Sequence, residues 1–158
     1  MTPEHQELIN RIRASADGLQ QAVAAVPAGQ RALAPKEGEW SVSQILDHTR
    51  NAAVLAFGTR IRRALVEDNP SFANFDEEAY QREVHRSPET AADILDMIIA
   101  EHRQIARLLN SLPDEYWRRQ GHHPQYGPMP IELLALRVAE HAEEHIKQIS
   151  ELRFPSET

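Results

Sequence analysis

The chain has no cysteine. Disulfide frameworks, zinc ribbons, thiol nucleophiles and iron–sulfur clusters are thereby excluded, and any metal must be held by nitrogen or oxygen ligands. Lysine is nearly missing as well: of the 17 basic residues only Lys36 and Lys147 are lysine, and the rest are arginine. Positive charge is in deficit, with a formal net charge of −7. Phosphate contacts supply most nucleic-acid affinity, so no nucleic-acid partner is expected. No apolar run approaches the ~18 residues of a membrane span. The polar, acidic opening Met1-Thr2-Pro3-Glu4-His5-Gln6-Glu7 lacks the basic start and apolar stretch of a signal peptide. A soluble, cytoplasmic protein without a membrane partner is the expectation.

What is present is one domain's worth of chain. The 158 residues, 41% hydrophobic and 26% charged, suit a single domain over residues 1–158 that buries a core without staples. Four segments carry helical period, separated by Pro- and Gly-containing stretches. The first starts at Thr2-Pro3, carries Leu8, Ile12, Leu19, Val23 and Val26, and closes at Pro27 and Gly29. The second opens on the capping-box pattern Ser41-Val42-Ser43-Gln44 and runs to Leu65 before Asn69-Pro70 ends it. Residues 69–87 form a long connection with room for a short helix near Asp76–Glu83. A link of that length implies a crossover rather than a tight hairpin. The third segment starts at Ser87-Pro88-Glu89-Thr90, carries Ile94, Ile98, His102, Ile105 and Leu109 on one stripe, and stops at Pro113. A loop from Asp114 to Gly127 follows, and the fourth stripe is Leu134, Val138, His141, His145, Ile149 and Leu152. With no segment showing strand alternation, the fold class is all-α, a four-helix bundle with a long connection between helices 2 and 3.

Three of the eight histidines fall on apolar stripes, whereas His5 and His85 sit in polar surroundings. His141 and His145 are one helical turn apart on the same face, where two imidazoles can converge on one metal ion. Buried without partners, both would cost a few kcal/mol. His48 is placed similarly near the start of the second helix, although a lone inward histidine is more often a core residue bonded to a carbonyl. The run His141-Ala142-Glu143-Glu144-His145 matches H-x-x-E-H. That protease family takes a further ligand well downstream, and 13 residues follow His145, so the family is set aside. Glu144 is still a candidate to help activate a nucleophile, against the plainer reading of a solvated acidic face shared with Glu140 and Glu143. No histidine has Glu three positions before it, which excludes the ferritin-like di-iron ligand set.

With these residues in view, the chain resembles the DinB-like superfamily of four-helix-bundle metalloenzymes. The resemblance is carried by Trp40-Ser41-Val42-Ser43-Gln44-Ile45-Leu46-Asp47-His48, by Leu112-Pro113-Asp114-Glu115-Tyr116-Trp117 with His122-His123-Pro124 and Gly127, and by Ala139-Glu140-His141-Ala142-Glu143-Glu144-His145-Ile146-Lys147-Gln148-Ile149. It spans Glu4 to Arg153. It implies up-down-down-up helix order and a divalent metal near one end of the bundle, held by His48, His141 and His145. It also implies a homodimer. Characterised relatives include thiol-dependent S-transferases and a mycothiol-dependent maleylpyruvate isomerase. The family name refers to damage-inducible expression and carries no implication of DNA binding.

Three neutral imidazoles leave the metal its full charge and an open position, the logic of a catalytic site. The expected function is a divalent-metal-dependent transferase or hydrolase in which a thiol or water attacks a small electrophile. Zinc is the default metal, nickel, iron or copper the alternatives, and a low-molecular-weight thiol is the candidate cosubstrate. His102 and His123 are candidates to support the ligands or touch substrate, with simple packing favoured for His102. Trp40 reads as a packing anchor, and Arg60, Arg62 and Arg63 as a solvated helix end rather than an anion site. The alternative function is a non-catalytic, metal-binding or stress-related interaction bundle.

Overall fold

Thr2 stands in extended backbone and its hydroxyl accepts from the His5 N–H, with Pro3 at the first helical position. Helix α1 (Pro3–Ala24) therefore begins where its sequence signal lies. Ser41 and Gln44 exchange the reciprocal bonds of a capping box at the start of α2 (Val42–Asn51). That helix continues through a π-helical segment, Ala52–Gly58, into α3 (Thr59–Val66), making one long rod. Helix α4 (Glu77–Glu83) lies in the connection. A second capping box, Thr90 with Asp93, opens α5 (Ala91–Asn110), and α6 (Ile131–Glu151) is the last long helix. The computed structural model describes residues 1–83 and 89–156, so His85 and the helix-start residues Ser87 and Pro88 lie outside the described residues.

Side-chain pairs fix the helix directions. His5 meets Glu132 and Arg11 meets Glu143, so α1 and α6 run parallel. Arg50 meets Met97 and Arg62 meets Glu101, so the α2–α3 rod and α5 run parallel. The start of α1 shares its core with the end of α5 (Ile9 and Ile12 with Ile105 and Leu109), and the end of α1 with the start of α5. The result is an up-down-down-up four-helix bundle, and the connection between the two parallel middle helices must travel back along the bundle's length. None of the described helices is long and apolar enough to cross a membrane.

The core is split in two. One cluster gathers Ile9, Ile12, Ile61, Ile105, Leu109, Trp117 and Leu134, the other Leu19, Val23, Ile45, Leu46, Ile94, Ile98 and Ile149. Between them every long helix contributes polar groups: Ser15 on α1, His48 and Asn51 on α2, His102 on α5, and His141 on α6. A polar layer thus crosses the bundle, with His141 midway along α6 rather than at a tip.

Two expectations are corrected. Asp114–Gly127 is not a plain loop: a 3-10 turn, Asp114–Arg118, buries Trp117 fully, and β1 (Gln120–His123) pairs antiparallel with β2 (Gly127–Pro130). These four-residue strands are built of Gly, His, Pro, Gln and Met, which give no strand pattern. Tertiary contacts hold them instead, with the Phe72 N–H donating to His122 O and the His122 N–H to Pro70 O, both at 2.8 Å. His5, in turn, is not in polar surroundings. It is buried and stacks on Trp117 with ring centroids 3.9 Å apart.

The hairpin seats on Phe72 through Gly121, where an added Cβ would fall 2.1 Å from the ring. Gly121→Ala is therefore expected to lower stability by about 1–3 kcal/mol through overpacking, read from urea unfolding followed by circular dichroism. An unchanged midpoint would mean that the hairpin and Phe72 separate freely.

Candidate metal centre

His48 projects from the second turn of α2, and His141 and His145 from one face of α6. Their rings meet in the polar layer. His141 Nε2 lies 3.1 Å from His48 Nε2 and 3.1 Å from His145 Nε2. One ligand atom from each ring falls within 4.8 Å of the others. Four-coordinate Zn–N bonds of about 2.0–2.1 Å put ligand nitrogens roughly 3.3 Å apart, so two edges of such a site are already near length.

The outer nitrogens of the rings explain why the inner ones face each other. His48 Nδ1 donates to Glu77, which is itself only 10% exposed. His145 Nδ1 lies 2.8 Å from Gln148 Oε1 and donates to it. With their protons held on Nδ1, the neutral rings of His48 and His145 turn bare Nε2 lone pairs inward. His141 Nε2–H can donate to one of them, not both. This donor set lacks a positive partner, and a cation bound by three neutral nitrogens fits it. Burial keeps two of the rings neutral: it pushes His141 down to about 3, and lowers His145 as well, with the neighbouring histidines adding to both shifts. One further group stands out beside the cluster, since Glu77 Oε1 is buried and has no hydrogen-bond partner among the described residues.

The π-helical segment shapes the wall next to the histidines. An extra residue per turn advances the inward face by about one position, so Phe57 and Arg60 turn in while Thr59 stays exposed. Phe57 meets His141 edge-on at 5.7 Å between centroids. A cavity of about 520 Å³ opens there, walled by Ala56, Phe57, Phe75, Met129 and Leu133 and reaching His48 and His141. On the other side of the histidines a more open groove of about 930 Å³ is lined by Trp40, His48, Glu144, His145 and Lys147. The two spaces share His48.

The structure brings His48, His141 and His145 together and leaves the other candidates apart from them. His102 is buried in the polar layer and its Nδ1–H donates to the Ser15 hydroxyl at 2.9 Å, while that hydroxyl donates to Ile12 O. It packs and is satisfied. His123 lines the cavity, and its Nδ1 accepts the N–H groups of Gln125 and Tyr126, leaving the neutral ring's proton on Nε2. Glu144 is exposed on the rim of the groove, whereas Glu143 pairs with Arg11 and Glu140 with Arg137. Trp40 sits edge-on to His48 at 5.3 Å and packs on the core. Arg62 and Arg63 pair with Glu101 and Glu67 at the surface, but Arg60 is no solvated helix end: it is 8% exposed and lines the cavity. Glu77, Gln148 and Arg60 are the site residues that sequence reasoning misses. Only the short-helix signal at Asp76–Glu83 hinted that Glu77 is placed.

The chain is similar to known proteins along most of its length. The family model of the DinB superfamily matches residues 11–149. The chain is 28% identical over 151 residues to "Putative metal-dependent hydrolase GK0616" of Geobacillus kaustophilus (strain HTA426), covering 95% of this chain and 84% of that protein. It is 28% identical over 149 residues to a "Putative metal-dependent hydrolase" of Geobacillus thermodenitrificans (strain NG80-2), covering 94% and 83%. Among solved structures, YfiT from Bacillus subtilis, described as having an unusual four-helix bundle topology, matches with a TM-score of 0.81 at 24% identity, over 96% of this chain and 87% of that one. That last likeness is one of fold.

The buried layer sets a pH dependence. Burial lowers His102 from 6.5 to about 4. The unfolded chain therefore takes up a proton that the folded chain refuses, and stability falls as pH drops from about 6.5 towards 4, by at most about 3 kcal/mol from this residue. Above pH 6.5 it contributes no slope. Urea midpoints of chelator-treated protein at successive pH values should show this fall, with a shallower slope in His102→Gln. Parallel slopes in the two proteins would contradict it.

Proposed function

The chain belongs to the DinB superfamily, and on that premise we propose that it is a metal-dependent hydrolase acting on a small molecule. The observation that carries the reading is the convergence of three Nε2 atoms, two of them with their protons held outward by Glu77 and Gln148. His48, His141 and His145 would hold a divalent metal, with zinc the default for an all-imidazole set. When bound there, the metal supplies the Lewis acidity that makes water or a thiol nucleophilic at neutral pH and polarises an electrophile.

The rest is done by the chain's own groups. Glu77 fixes the ring of His48 and raises its basicity as a ligand, and Gln148 does the same for His145. Apolar side chains of the 520 Å³ cavity take the body of a substrate and displace water from it. Glu144, on the groove rim, is close enough to His145 to influence its charge. Its exposure makes it a weaker candidate for proton transfer than the carboxylate of Glu77, whose second oxygen is buried and, among the described residues, without a partner.

A second reading, thiol-dependent S-transfer to a small electrophile, is favoured by one observation: two separate spaces meet at His48. A hydrolase needs room for one organic substrate, a transferase for two. The chain has no cysteine, so the thiol would be a diffusible cosubstrate seated in the polar groove.

Tag-free protein is expected to carry about one metal ion per chain by elemental mass spectrometry, lost in His48→Ala and His145→Ala. Glu77→Gln should keep the fold and weaken metal affinity roughly 10–100-fold. Failure to take up zinc, nickel or iron on reconstitution would overturn the metalloenzyme reading. Loaded protein that hydrolyses p-nitrophenyl esters without added thiol supports the first reading. Protein that only accelerates arylation of a small thiol by 1-chloro-2,4-dinitrobenzene supports the second.

A further inference from the structure

Arg60 is the anomaly of the cavity. Its side chain reaches inward because the π-helical segment advances the helix face, and it is 8% exposed. Its guanidinium donates to Ala73 O at 3.1 Å and stands 5.8 Å from the centroid of the Phe72 ring. Among the described residues no carboxylate pairs with it, although Arg50, Arg62, Arg63, Arg119 and Arg137 each have one. A guanidinium offers five N–H donors in a fork that matches a carboxylate. One backbone carbonyl and a distant ring leave most of that capacity unused. A buried charge without a counterion is costly, and here burial lowers the group's pKa.

The surroundings define what would complete it. His123, with its neutral-state proton on Nε2, lines the same cavity, and its pKa is lowered by burial first and by the nearby Arg60 charge second. Aromatic and aliphatic groups (Phe57, Phe75, Met129, Leu133) form the walls, and His48 with His141 forms part of the boundary. Glu77 lines the cavity as well, bonded to His48. Among the described residues lining the cavity, Arg60 is the cation without a carboxylate, since Arg137 pairs with Glu140, and with Glu77 nearby this suits a monoanion rather than a dianion.

We propose that this cavity selects a small molecule with an apolar, aryl or alkyl body and one terminal carboxylate, which pairs with Arg60 and leaves the reacting end of the molecule at the histidines. The inference rests on the proposed function in naming that reacting end, and names the substrate class for the same site. The carboxylate subsite itself is made of protein groups alone, and its binding is measurable without metal. The alternative is that Arg60 only ties the segment after α3 through Ala73.

The test compares 3-phenylpropanoate and hexanoate with their amides, isosteres that differ in charge. Binding is followed by NMR shift perturbation on the full chain, both metal-loaded and chelator-treated. The wild type is expected to prefer each carboxylate by about tenfold or more, the range of a charge-assisted pair, in both forms. Arg60→Gln should bind acid and amide within twofold of each other. Arg60→Lys should keep part of the preference, and the melting curves of both variants report whether they fold. Equal wild-type binding of acid and amide, binding of neither up to millimolar concentration, or a preference that survives Arg60→Gln would overturn the proposal. So would a preference found only in the loaded protein, because the carboxylate would then be ligating the metal. Failure of the metal reading is seen separately in the elemental analysis and leaves the chelator-treated comparison intact.

Discussion

The rest of this molecule depends on a polar layer laid across an otherwise apolar bundle. Imidazoles from α2, α5 and α6, with Ser15 from α1, lie between two hydrophobic clusters. Each buried imidazole must have its proton and its lone pair accounted for. His102 meets that demand within the protein, through Ser15. His48 and His145 do so on their outer sides, through Glu77 and Gln148. The inner sides of His48, His141 and His145 are left with more lone pairs than protons, a surplus that a bound cation would offset.

The topology follows from the same need. The carboxylate on the outside of His48 comes from α4, an element beyond the four long helices. Placing α3 and α5 in parallel forces the chain to return along the bundle after Val66. That return path carries Phe72 onto the hairpin, Phe75 into the cavity wall and Glu77 onto His48. A tight up-down-up-down connection would have had no such residues to offer. The π-helical segment makes a related adjustment: it lets one helix present His48 at one level and Arg60 at the next, on a common face.

The helices and the histidine face were legible because they rest on local rules. Capping boxes, proline at the first position and stripes at helical spacing all act within a few residues, and His141 with His145 shares a turn. The rest is set by contacts between distant segments. Glu77 looks like any surface glutamate of a short helix until α4 is docked. Arg60 belongs to an Arg-rich run, and a regular helix points it elsewhere. His5 becomes a core residue only by stacking on Trp117, more than a hundred positions away. The hairpin has no strand pattern because its pairing is imposed by Phe72 and the segment around it.

Charge is distributed along the cavity in a way that gives a bound molecule direction. One region holds Arg60, cationic and, among the described residues, without a carboxylate. Another holds His48 and His141, neutral by burial in the case of His141, backed by the anionic Glu77. Phe57, Phe75, Met129 and Leu133 in the walls select neither end, and Arg137 there is paired with Glu140. A molecule with an anion at one end gains by placing it at Arg60, and loses by placing it at Glu77, where two negative charges would meet in a poorly solvated space. Orientation then comes from electrostatics and depth from the hydrophobic effect, and the two terms are separable. A neutral isostere keeps the burial of its body and loses the bias in direction. This asymmetry belongs to the fold before any metal is bound. A dication at the three histidines would add a second attraction for anions and so compete with Arg60 for the carboxylate. The buried carboxylate of Glu77 opposes that competition by offsetting part of the added positive charge on the histidine side.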